Sequence, residues 1–592
     1  MATNTVPWNR YEHELHFLYI LRWIMGFTAL IAFLLLAIDY GVYLDSQSLA
    51  WVETGQVIVG YLFLGGYVVQ LIIRRDRWKY LRHNKFKYAV SLGMLLEIAI
   101  VYGFQIDLRV VRLLQDLDSI TFRHPQILLF QLYIFSNVLR WVVKISQSLA
   151  QYNVSPAHFI LISFGSAILL GAALLLLPKA TTASIHPIDA LFTATSAVCV
   201  TGLIVVDTAT AFTKLGQIFI LLLIQFGGLG IMTVTAFFSL LIGQRMTGRE
   251  QLLLGDMLDT RQVAQLGALL RTIFFTAISI EACGIGLLYL SWKEYLPADA
   301  SLYTAFFHAI SAFCNAGFST FPDSLMGFAT NMKINFTVTG LIILGGLGVG
   351  TLRNMGHACV NALKEKRTTS LSVQSKLVLL MTALLLIIGM SLFFMLEYTN
   401  TLAEYPWQSQ ALIAFFQAVT FRTAGFNTVD FGKVKESTLM VGIVLMFIGA
   451  GPGSTAGGIK VTTLAILLAT VVSAARGQTR LELFHRTIPT MVLHQTLVVV
   501  TLYLSLMMSV SLLLSLTEPR FRLIELLFET VSALGTVGLS TGVTPHLSVA
   551  GKIFIIITMF AGRVGPFTLA LAIGQRQRTE RYRYPEEKVQ IG

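Results

Sequence analysis

The chain has 592 residues, of which 55% are apolar and only 12% are charged, and its mean hydropathy is +0.71. Soluble domains carry about 25% charged residues, so this composition excludes a soluble globular protein and indicates an integral membrane protein. The formal net charge of +12 does not indicate nucleic-acid binding, because Lys and Arg concentrate in alternate loops, as expected for an oriented membrane protein.

The N-terminal region, residues 1–150, begins with the polar sequence MATNTVPWNRYEHELH. It lacks the charged start, short apolar core and cleavage site of a secretory signal peptide, so we expect the first apolar segment to remain in the mature protein. This region holds four apolar segments, near 17–38, 55–73, 89–104 and 127–145. We therefore predict about four N-terminal membrane helices.

Two interpretations of this region remain open. Five charged residues resemble the pattern of a voltage-sensing four-helix bundle: Glu97, Arg109, Arg112, Arg140 and Lys144. Voltage sensors normally carry more arginines at three-residue spacing, because each charge contributes only about 2.3 kcal/mol per 100 mV. Packing or assembly around the rest of the protein is therefore favoured, and LRVVRLLQDL also fits an interfacial amphipathic helix.

Four glycine-containing segments repeat along the rest of the chain: SAVCVTGLIVVD, SAFCNAGFSTF, VTFRTAGFNTVD and SALGTVGLSTG. Their central glycines lie 115, 108 and 113 residues apart, at Gly202, Gly317, Gly425 and Gly538. The third repeat is one residue shorter before its glycine. Each glycine follows a short apolar stretch with an aromatic residue about ten positions back, at Phe192, Phe307, Phe415 and Phe528. Repetition at a nearly fixed spacing indicates one structural unit used four times.

Each unit consists of an apolar helix, an outer loop, a half-length helix, the glycine turn and a second apolar helix. The predicted helix pairs are 158–177 and 215–242, 268–292 and 334–362, 375–397 and 438–475, and 490–516 and 550–574. A membrane span needs about 20 residues, so the segment between the paired helices is too short to cross. It must enter and leave on the outer face, which predicts four re-entrant pore loops around a pseudo-fourfold axis. The repeats occupy 155–243, 265–363, 374–475 and 488–575, and a basic tail follows at 576–592.

The glycine turns are candidates for an ion pathway. Rings of backbone carbonyl oxygens replace the hydration shell of a potassium ion, and glycine reaches dihedral angles that strain other residues. The alternative is that these are packing glycines, since small residues let membrane helices approach closely. Four glycines at matched positions favour the pore.

The turns CVTGL, CNAGF, RTAGFNT and GTVGLS resemble those of the TrkH/TrkG/KtrB superfamily of potassium transporters. MFIGAGPGSTAGGIK and AGRVGP match further parts of that pattern, and the resemblance covers about residues 155–575. It implies an all-α polytopic membrane protein with four helix, pore-loop and helix repeats around a central pore. It also implies a selectivity filter lined by backbone carbonyls of Val200, Thr201, Gly202, Asn315, Ala316, Gly317, Thr423, Ala424, Gly425, Thr536, Val537 and Gly538. Glycine in all four turns is linked in this superfamily with potassium, whereas serine in the first is linked with sodium preference.

The same resemblance implies a gate beneath the filter. It assigns to the gate an intramembrane loop with Gly449, Gly451, Pro452, Gly453, Ser454, Thr455, Gly457 and Gly458, and also Arg563 in the last apolar helix. An Arg at the bilayer centre costs about 2.5 to 3.5 kcal/mol and is by default functional. A helix kink at the loop and snorkelling of Arg563 to an interface are the alternatives. A dinucleotide fingerprint is rejected for this loop, because no strand precedes it.

Three acidic residues follow their glycines by five or six positions, at the expected outer mouth: Asp207, Asp323 and Asp430. A ring of acids could concentrate cations there, or these residues are simply solvated in loops. The loops rich in Lys and Arg, and the C-terminal tail, are predicted to be cytoplasmic, in the plasma (inner) membrane of a prokaryote.

The resemblance implies a homodimer that associates with a cytosolic ring of nucleotide-binding regulatory subunits. Potassium is then the transported ion, and no organic cofactor is expected in this chain. Three alternatives stay open: a sodium-permeable or sodium-coupled transporter of the same fold, a non-conducting membrane receptor or scaffold, and a membrane enzyme acting on lipids. The enzyme alternative would use Glu97, His308 or Glu529, but no Ser/His/Asp set, metal cluster or carboxylate pair accompanies them.

Overall fold

The computed structural model describes residues 8–73, 156–230, 266–363, 371–478 and 480–566, with a few isolated positions outside these ranges. These parts are predominantly helical, and the strands that they contain are Glu482–Leu483 and Arg486–Thr487, which pair antiparallel. The predicted apolar segments 89–104 and 127–145 lie almost wholly outside the described residues. So do the charged residues named above between 97 and 144, and the whole of the tail 576–592.

The described N-terminal helices, Trp8–Gly41 and Ser46–Ile73, form a hairpin. Ala32 and Phe63 lie in the small apolar core between them. The end of this hairpin is tied to the first repeat, since the backbone N–H of Lys179 donates to the carbonyl oxygen of Gly41 at 2.8 Å. The ammonium group of Lys179 donates to the carbonyl oxygen of Asp39 at 3.0 Å.

The predicted helix, half-helix and helix pattern is present in every repeat. The first helices are Pro156–Leu175, Leu266–Trp292, Val373–Glu397 and Thr490–Thr517. The half-length helices, called pore helices below, are Pro187–Val198, Ala298–Phe313, Trp407–Thr420 and Leu523–Gly535. The second helices are Lys214–Leu229, Met332–Leu347, Glu436–Phe447 and Val549–Val564. A pore helix of 12 to 16 residues is shorter than the bilayer core, at about 1.5 Å per residue.

The prediction of continuous second helices is wrong. In repeat 2 the predicted span 334–362 breaks at Gly348, and the helix Val349–Leu363 follows at an angle of 101°. Gly230 and Gly565 end the second helices of repeats 1 and 4 in the same way, and all three glycines have φ between +81° and +89°. A positive φ ends an α-helix, and glycine adopts it without a Cβ clash. Only the break in repeat 3, before the helix Val461–Ala475, was anticipated.

Several helices are suited to cross a bilayer. Among the described residues six are long and apolar enough, or seven when the bent pair in repeat 2 counts as one span. Three shorter apolar helices, at 214–229, 436–447 and 461–475, belong to the broken second helices. The chain is therefore a multi-pass, all-α membrane protein.

The four repeats close into a ring. The second helix of each repeat contacts the pore helix of the next, and the second helix of repeat 4 contacts the pore helix of repeat 1. At this closing junction the ammonium nitrogen of Lys552 lies 2.6 Å from a carboxylate oxygen of Asp189. Both side chains are largely buried, with 14% and 15% exposed. The pore helices are thus held side by side around one centre.

Candidate functional site

The four glycine turns share one backbone conformation. The residue two positions before each glycine is left-handed, with φ between +50° and +66°, at Val200, Asn315, Thr423 and Thr536. The glycines themselves have φ between +70° and +97°, at Gly202, Gly317, Gly425 and Gly538. Left-handed residues with a Cβ cost energy and persist where the surroundings enforce them, often at functional sites.

One hydrogen bond fixes the register of every turn. The N–H of the residue before each glycine donates to a carbonyl oxygen near the end of the pore helix, at 2.7 to 3.1 Å: Thr201 to Ser196, Ala316 to Ser311, Ala424 to Thr420 and Val537 to Ser532. Donor and acceptor residues are four positions apart in the third turn and five positions apart in the other turns. The predicted one-residue shortening of repeat 3 is therefore confirmed. The hydroxyl groups of Ser196 and Ser532 also accept from the N–H groups of Gly202 and Gly538, at 3.0 and 3.1 Å.

The shortened third repeat corrects one predicted correspondence. Phe192, Phe307 and Phe528 are fully buried, and the matching residue of repeat 3 is Phe416, which is also fully buried. The predicted residue, Phe415, is only partly buried and packs against Phe336 with a ring separation of 6.0 Å. Shifting the alignment by one residue would have identified Phe416.

The four glycines are brought together in a closed ring. A Cβ placed on each would meet a carbonyl oxygen of the next repeat, at 2.5 Å for Gly202 and Ala316, 2.8 Å for Gly317 and Ala424, and 2.6 Å for Gly425 and Val537. A Cβ on Gly538 would collide with the carbonyl oxygen of Thr201, which closes the ring. The turn of repeat 1 therefore contacts that of repeat 2, repeat 2 contacts repeat 3, repeat 3 contacts repeat 4, and repeat 4 contacts repeat 1. Only glycine fits at these four positions, because no real Cβ approaches an oxygen so closely.

A side chain in the last two turns of three pore helices braces the chain beyond the glycine. In repeat 4 the carboxylate of Glu529 accepts hydrogen bonds from the hydroxyl of Ser540 at 2.7 Å, the N–H of Thr541 at 2.9 Å and the hydroxyl of Thr544 at 2.5 Å. In repeat 2 the Nε2 atom of His308 lies 3.0 Å from the hydroxyl of Ser319. In repeat 3 the amide of Gln417 donates to the hydroxyl of Thr428 at 2.9 Å. These contacts give His308 and Glu529 a structural role: each side chain holds the segment beyond the glycine of its own repeat in place.

The predicted gating loop, residues 449–458, lies against the ends of two pore helices. The hydroxyl of Thr455 donates to the carbonyl oxygen of Phe313 at 3.3 Å, in repeat 2. A Cβ on Gly457 would lie 2.8 Å from the carbonyl oxygen of Gly535 and would collide with the hydroxyl of Thr536, in repeat 4. The loop thus fills the space next to the glycine turns.

Two backbone hydrogen bonds fix the loop's shape. The N–H of Gly449 donates to the carbonyl oxygen of Ile459 at 2.8 Å, which closes the base of the loop. The N–H of Gly451 donates to the carbonyl oxygen of Gly346 at 2.9 Å, beside the broken helix of repeat 2. The loop is therefore an ordered chain excursion and not a simple helix kink.

Arg563 joins three repeats. Its guanidinium donates hydrogen bonds to the carbonyl oxygens of Thr455, in the predicted gating loop, and of Gly227, at the end of the second helix of repeat 1. The carbonyl oxygen of Gly228 lies 3.5 Å away. The last carbonyls of a helix carry partial negative charge, which stabilises a cation there. The side chain of Arg563 therefore has its hydrogen-bond partners inside the protein, in repeats 1 and 3.

The predicted outer-mouth acids have mostly local partners. The carboxylate of Asp207 accepts from the N–H groups of Ala209 and Thr210, at 2.6 and 3.2 Å, and caps a short helix, Thr208–Ala211. The carboxylate of Asp430 accepts from the N–H of Gly432 at 2.9 Å. Asp323 is exposed. A cation-concentrating role stays a prediction for these residues.

One motif at the helix breaks was missed in the sequence. Gly-Gly-Leu-Gly occurs at 227–230 and 345–348, Gly-Gly-Ile-Lys at 457–460 and Gly-Arg-Val-Gly at 562–565. Aligning the repeats on this motif shows that Arg563 stands where repeats 1 and 2 have Gly228 and Gly346. In repeat 3 the similar sequence Gly-Gly-Ile-Lys does not end the second helix; it lies at the end of the loop and stops at Lys460, directly before the helix Val461–Ala475. The ammonium group of Lys460 donates to the carbonyl oxygen of Ala456 at 2.6 Å.

Comparisons with known proteins agree on one family. The family model of TrkH, described as a cation transport protein, matches residues 125–580. Ktr system potassium uptake protein B of Bacillus subtilis is 38% identical over 457 residues, which cover 77% of this chain and 98% of that protein. The potassium/sodium uptake protein NtpJ of Enterococcus hirae is 37% identical over 448 residues, which cover 74% of this chain and 98% of that protein.

A solved structure has the same fold. The potassium transporter TrkH from Vibrio parahaemolyticus superimposes with a TM-score of 0.58 at 16% sequence identity. The superposition covers 83% of this chain and 98% of that structure. At this identity the likeness establishes the architecture alone.

Proposed function

Because the chain belongs to the TrkH family of cation transport proteins, we propose that it takes up potassium ions across the plasma membrane through the four glycine turns. The family consists of transporters and not of enzymes, so the alternative of an enzyme acting on lipids is dropped. Two relatives are named as potassium uptake proteins, from Bacillus subtilis and Vibrio alginolyticus, and the matches cover 77% and 74% of this chain.

The observation that carries the proposal is the closed ring of Gly202, Gly317, Gly425 and Gly538. Each glycine lies against a carbonyl oxygen of the next turn, so the four turns form one ring. In this proposal their backbone oxygens line the ion path. Such oxygens replace the water around a dehydrated alkali cation. The selectivity filter then consists of residues 200–202, 315–317, 423–425 and 536–538. An inside-negative membrane potential supplies about 2.3 kcal/mol per charge per 100 mV, which is enough to drive uptake without covalent chemistry.

The loop 449–458 and Arg563 form the gate in this proposal. The support is the pair of hydrogen bonds from Arg563 to Thr455 and Gly227, which hold the loop next to the filter. A positive charge at that position also opposes the passage of cations. Release of the loop from Arg563 would lower both the steric barrier formed by the loop and the electrostatic barrier formed by the positive charge.

A sodium-permeable transporter is the second candidate, because one relative is named a potassium/sodium uptake protein. The two candidates differ in the ion that competes for uptake. If potassium is preferred, an excess of unlabelled potassium suppresses uptake of labelled rubidium and the same excess of sodium does not. Equal suppression by sodium would favour the second candidate.

Orientation and partners belong to the same proposal. Exposed basic residues cluster after the breaks in repeats 2 and 3, at Arg353, Arg476, Arg480 and Arg486, which favours a cytoplasmic position for these segments. This basic face fits a cytosolic ring of nucleotide-binding regulatory subunits, and the transporter would act as a homodimer.

The test is ion flux through the purified chain in liposomes. Vesicles loaded with potassium and diluted into potassium-free buffer have an outward potassium gradient, which drives labelled rubidium inward through a potassium pathway. They should take up rubidium only when the chain is present. A non-conducting receptor or scaffold would leave the vesicles as tight as empty ones, and that result would overturn the proposal.

A further inference from the structure

Arg422 is a buried cation directly before the third glycine turn. Only 7% of its surface is exposed. Three residues before the turn glycine, repeats 1, 2 and 4 carry the small residues Cys199, Cys314 and Gly535, so an arginine at this place occurs in repeat 3 alone. Among the described residues no carboxylate pairs with its guanidinium, and its Nε atom has no hydrogen-bond partner in the protein. A buried charge is costly unless a partner compensates it.

Arg422 lines a small cavity where repeats 2 and 3 meet. The other walls come from the second helix of repeat 2, at Gly346 and its apolar neighbours, from the first helix of repeat 3, at Thr382 and Leu386, and from Ala450. Among the described residues of this lining, Arg422 and Thr382 have the polar side chains. The hydroxyl of Thr382 is also buried and has no hydrogen-bond partner in the described part of the chain. Two unpartnered polar groups from two elements therefore line one cavity.

The preceding junction, between repeats 1 and 2, contains a carboxyl group. There the residue at the place of Arg422 is Cys314, whose Sγ atom lies 3.5 Å from the side-chain oxygen of Gln225. The side-chain nitrogen of Gln225 donates to the carboxyl group of Glu281 at 3.0 Å. Glu281 is buried and belongs to the first helix of repeat 2. The fold thus buries an acidic group at one junction, and at the next junction a basic group that has no acidic partner among the described residues.

The lining of the cavity favours an anion that consists of one atom. The guanidinium N–H groups can only donate hydrogen bonds, and the hydroxyl of Thr382 can donate as well. The cavity has room for about one water-sized particle, and a chloride ion is only slightly larger than a water molecule. The carbonyl end of the pore helix Trp407–Thr420 supplies about half a negative charge, which compensates the arginine only in part. A water molecule would accept the hydrogen bonds but leave the remaining charge, whereas a chloride ion would do both.

We propose that Arg422 and Thr382 form a binding site for a small monovalent anion, of the size of chloride, at the junction of repeats 2 and 3. The anion accepts hydrogen bonds from the guanidinium and from the hydroxyl, and it compensates the buried charge. It thereby joins the third glycine turn, through Arg422, to the first helix of repeat 3, through Thr382. The inference goes beyond the proposed uptake of potassium, since the folded chain would bind the anion whether or not it conducts.

The experiment measures the unfolding temperature of the full-length chain in detergent while sodium gluconate is replaced by sodium chloride at constant ionic strength. Gluconate is too large for the cavity. A ligand that binds only the folded chain raises the unfolding temperature as its concentration increases, so we expect a saturable rise of about 2 °C or more. Bromide should replace chloride, and a crystal soaked in bromide should show its anomalous signal between Arg422 and Thr382.

Two variants separate this site from a general effect of salt. Arg422→Met removes the charge, so its unfolding temperature should be the same in chloride and in gluconate. Thr382→Val removes one donor and keeps the charge, and it should move the chloride titration to concentrations about tenfold higher, the loss of one hydrogen bond to an ion. Arg271→Ala is the control, since it removes an exposed arginine and should keep the chloride response of the parent chain.

The inference is overturned if the parent chain unfolds at the same temperature in both salts, as a bound water molecule would predict. It is also overturned if Arg422→Met and Thr382→Val respond to chloride as the parent chain does. If Arg422→Met does not fold, Thr382→Val decides alone, and an unchanged chloride titration overturns the inference. Rubidium flux in liposomes is measured in parallel, and a chain that chloride stabilises but that carries no flux would contradict the proposed function and not this site.

Discussion

The guanidinium of Arg563 donates a hydrogen bond to the main-chain carbonyl oxygen of Thr455, across 108 residues of sequence. This bond joins the last helix of repeat 4 to the loop of repeat 3. Arg563→Ala should raise potassium flux about tenfold, because a hydrogen bond from a charged donor contributes about 1.5 kcal/mol or more. The preference for potassium over sodium should not change, since the glycine ring is untouched. Uptake in a strain that lacks its own potassium transporters measures both quantities.

Arg271→Ala is the control for this prediction, because Arg271 is exposed on the first helix of repeat 2 and, among the described residues, hydrogen-bonds to Gly267 of its own helix. Unchanged uptake and unchanged regulation in Arg563→Ala would remove Arg563 from the mechanism.

The ion pair between Lys552 and Asp189 should stabilise the closure of the ring. Lys552→Met leaves a largely buried carboxylate without its partner, which costs about 3 kcal/mol or more. Adding Asp189→Asn should recover part of this loss, because the double variant buries no unpaired charge. Thermal unfolding in detergent measures the four chains of this cycle. The exposed pair Lys333–Glu294 is the control, and breaking it should cost less than about 1 kcal/mol. Equal effects of the two pairs would contradict the closing role.

Glu529 should be needed for the shape of the filter and not for any catalysis. Glu529→Ala removes the acceptor for Ser540, Thr541 and Thr544, so we expect a lower unfolding temperature and a weaker preference for potassium. Thr544→Val deletes one of these bonds and should show a smaller change in the same direction. Selective uptake and stability equal to the parent chain in Glu529→Ala would contradict the bracing role.

Asp323 should act on cations only through its charge. It is exposed, and its neutralisation in Asp323→Asn should lower potassium uptake at low ionic strength, where electrostatic attraction reaches furthest. At 0.15 M salt the screening length falls to about 8 Å, and the difference should largely vanish. An uptake deficit of the same size at both ionic strengths would exclude a role in concentrating cations.

The repeat unit and the glycine positions could be predicted from the sequence, because both follow from short-range rules. A half-length apolar segment cannot span a bilayer, and the recurrence of a glycine at matched spacing identifies the turn. The shortened third repeat is also visible in the sequence, and shifting its alignment by one residue replaces Phe415 by Phe416.

The breaks at Gly230, Gly348 and Gly565 were not predicted, because a single glycine inside a long apolar segment is also common in uninterrupted membrane helices. At Gly348, tertiary packing also leaves no room for a side chain. At Gly348 a Cβ would collide with the carbonyl oxygen of Pro452, in a different repeat. The contacts of Arg563 with the loop and with repeat 1 likewise depend on how the repeats meet, which spacing along the chain does not encode.

The most direct test of the account is the ion preference of Gly317→Ser in proteoliposomes, compared with the parent chain. A Cβ at this position would lie 2.8 Å from the carbonyl oxygen of Ala424, and the residue would keep a φ of +70° that serine adopts only with strain. We expect the parent chain to prefer potassium to sodium, and Gly317→Ser to lose most of this preference while remaining folded. A folded Gly317→Ser variant with the full potassium preference of the parent would contradict the claim that the four glycine turns form the filter.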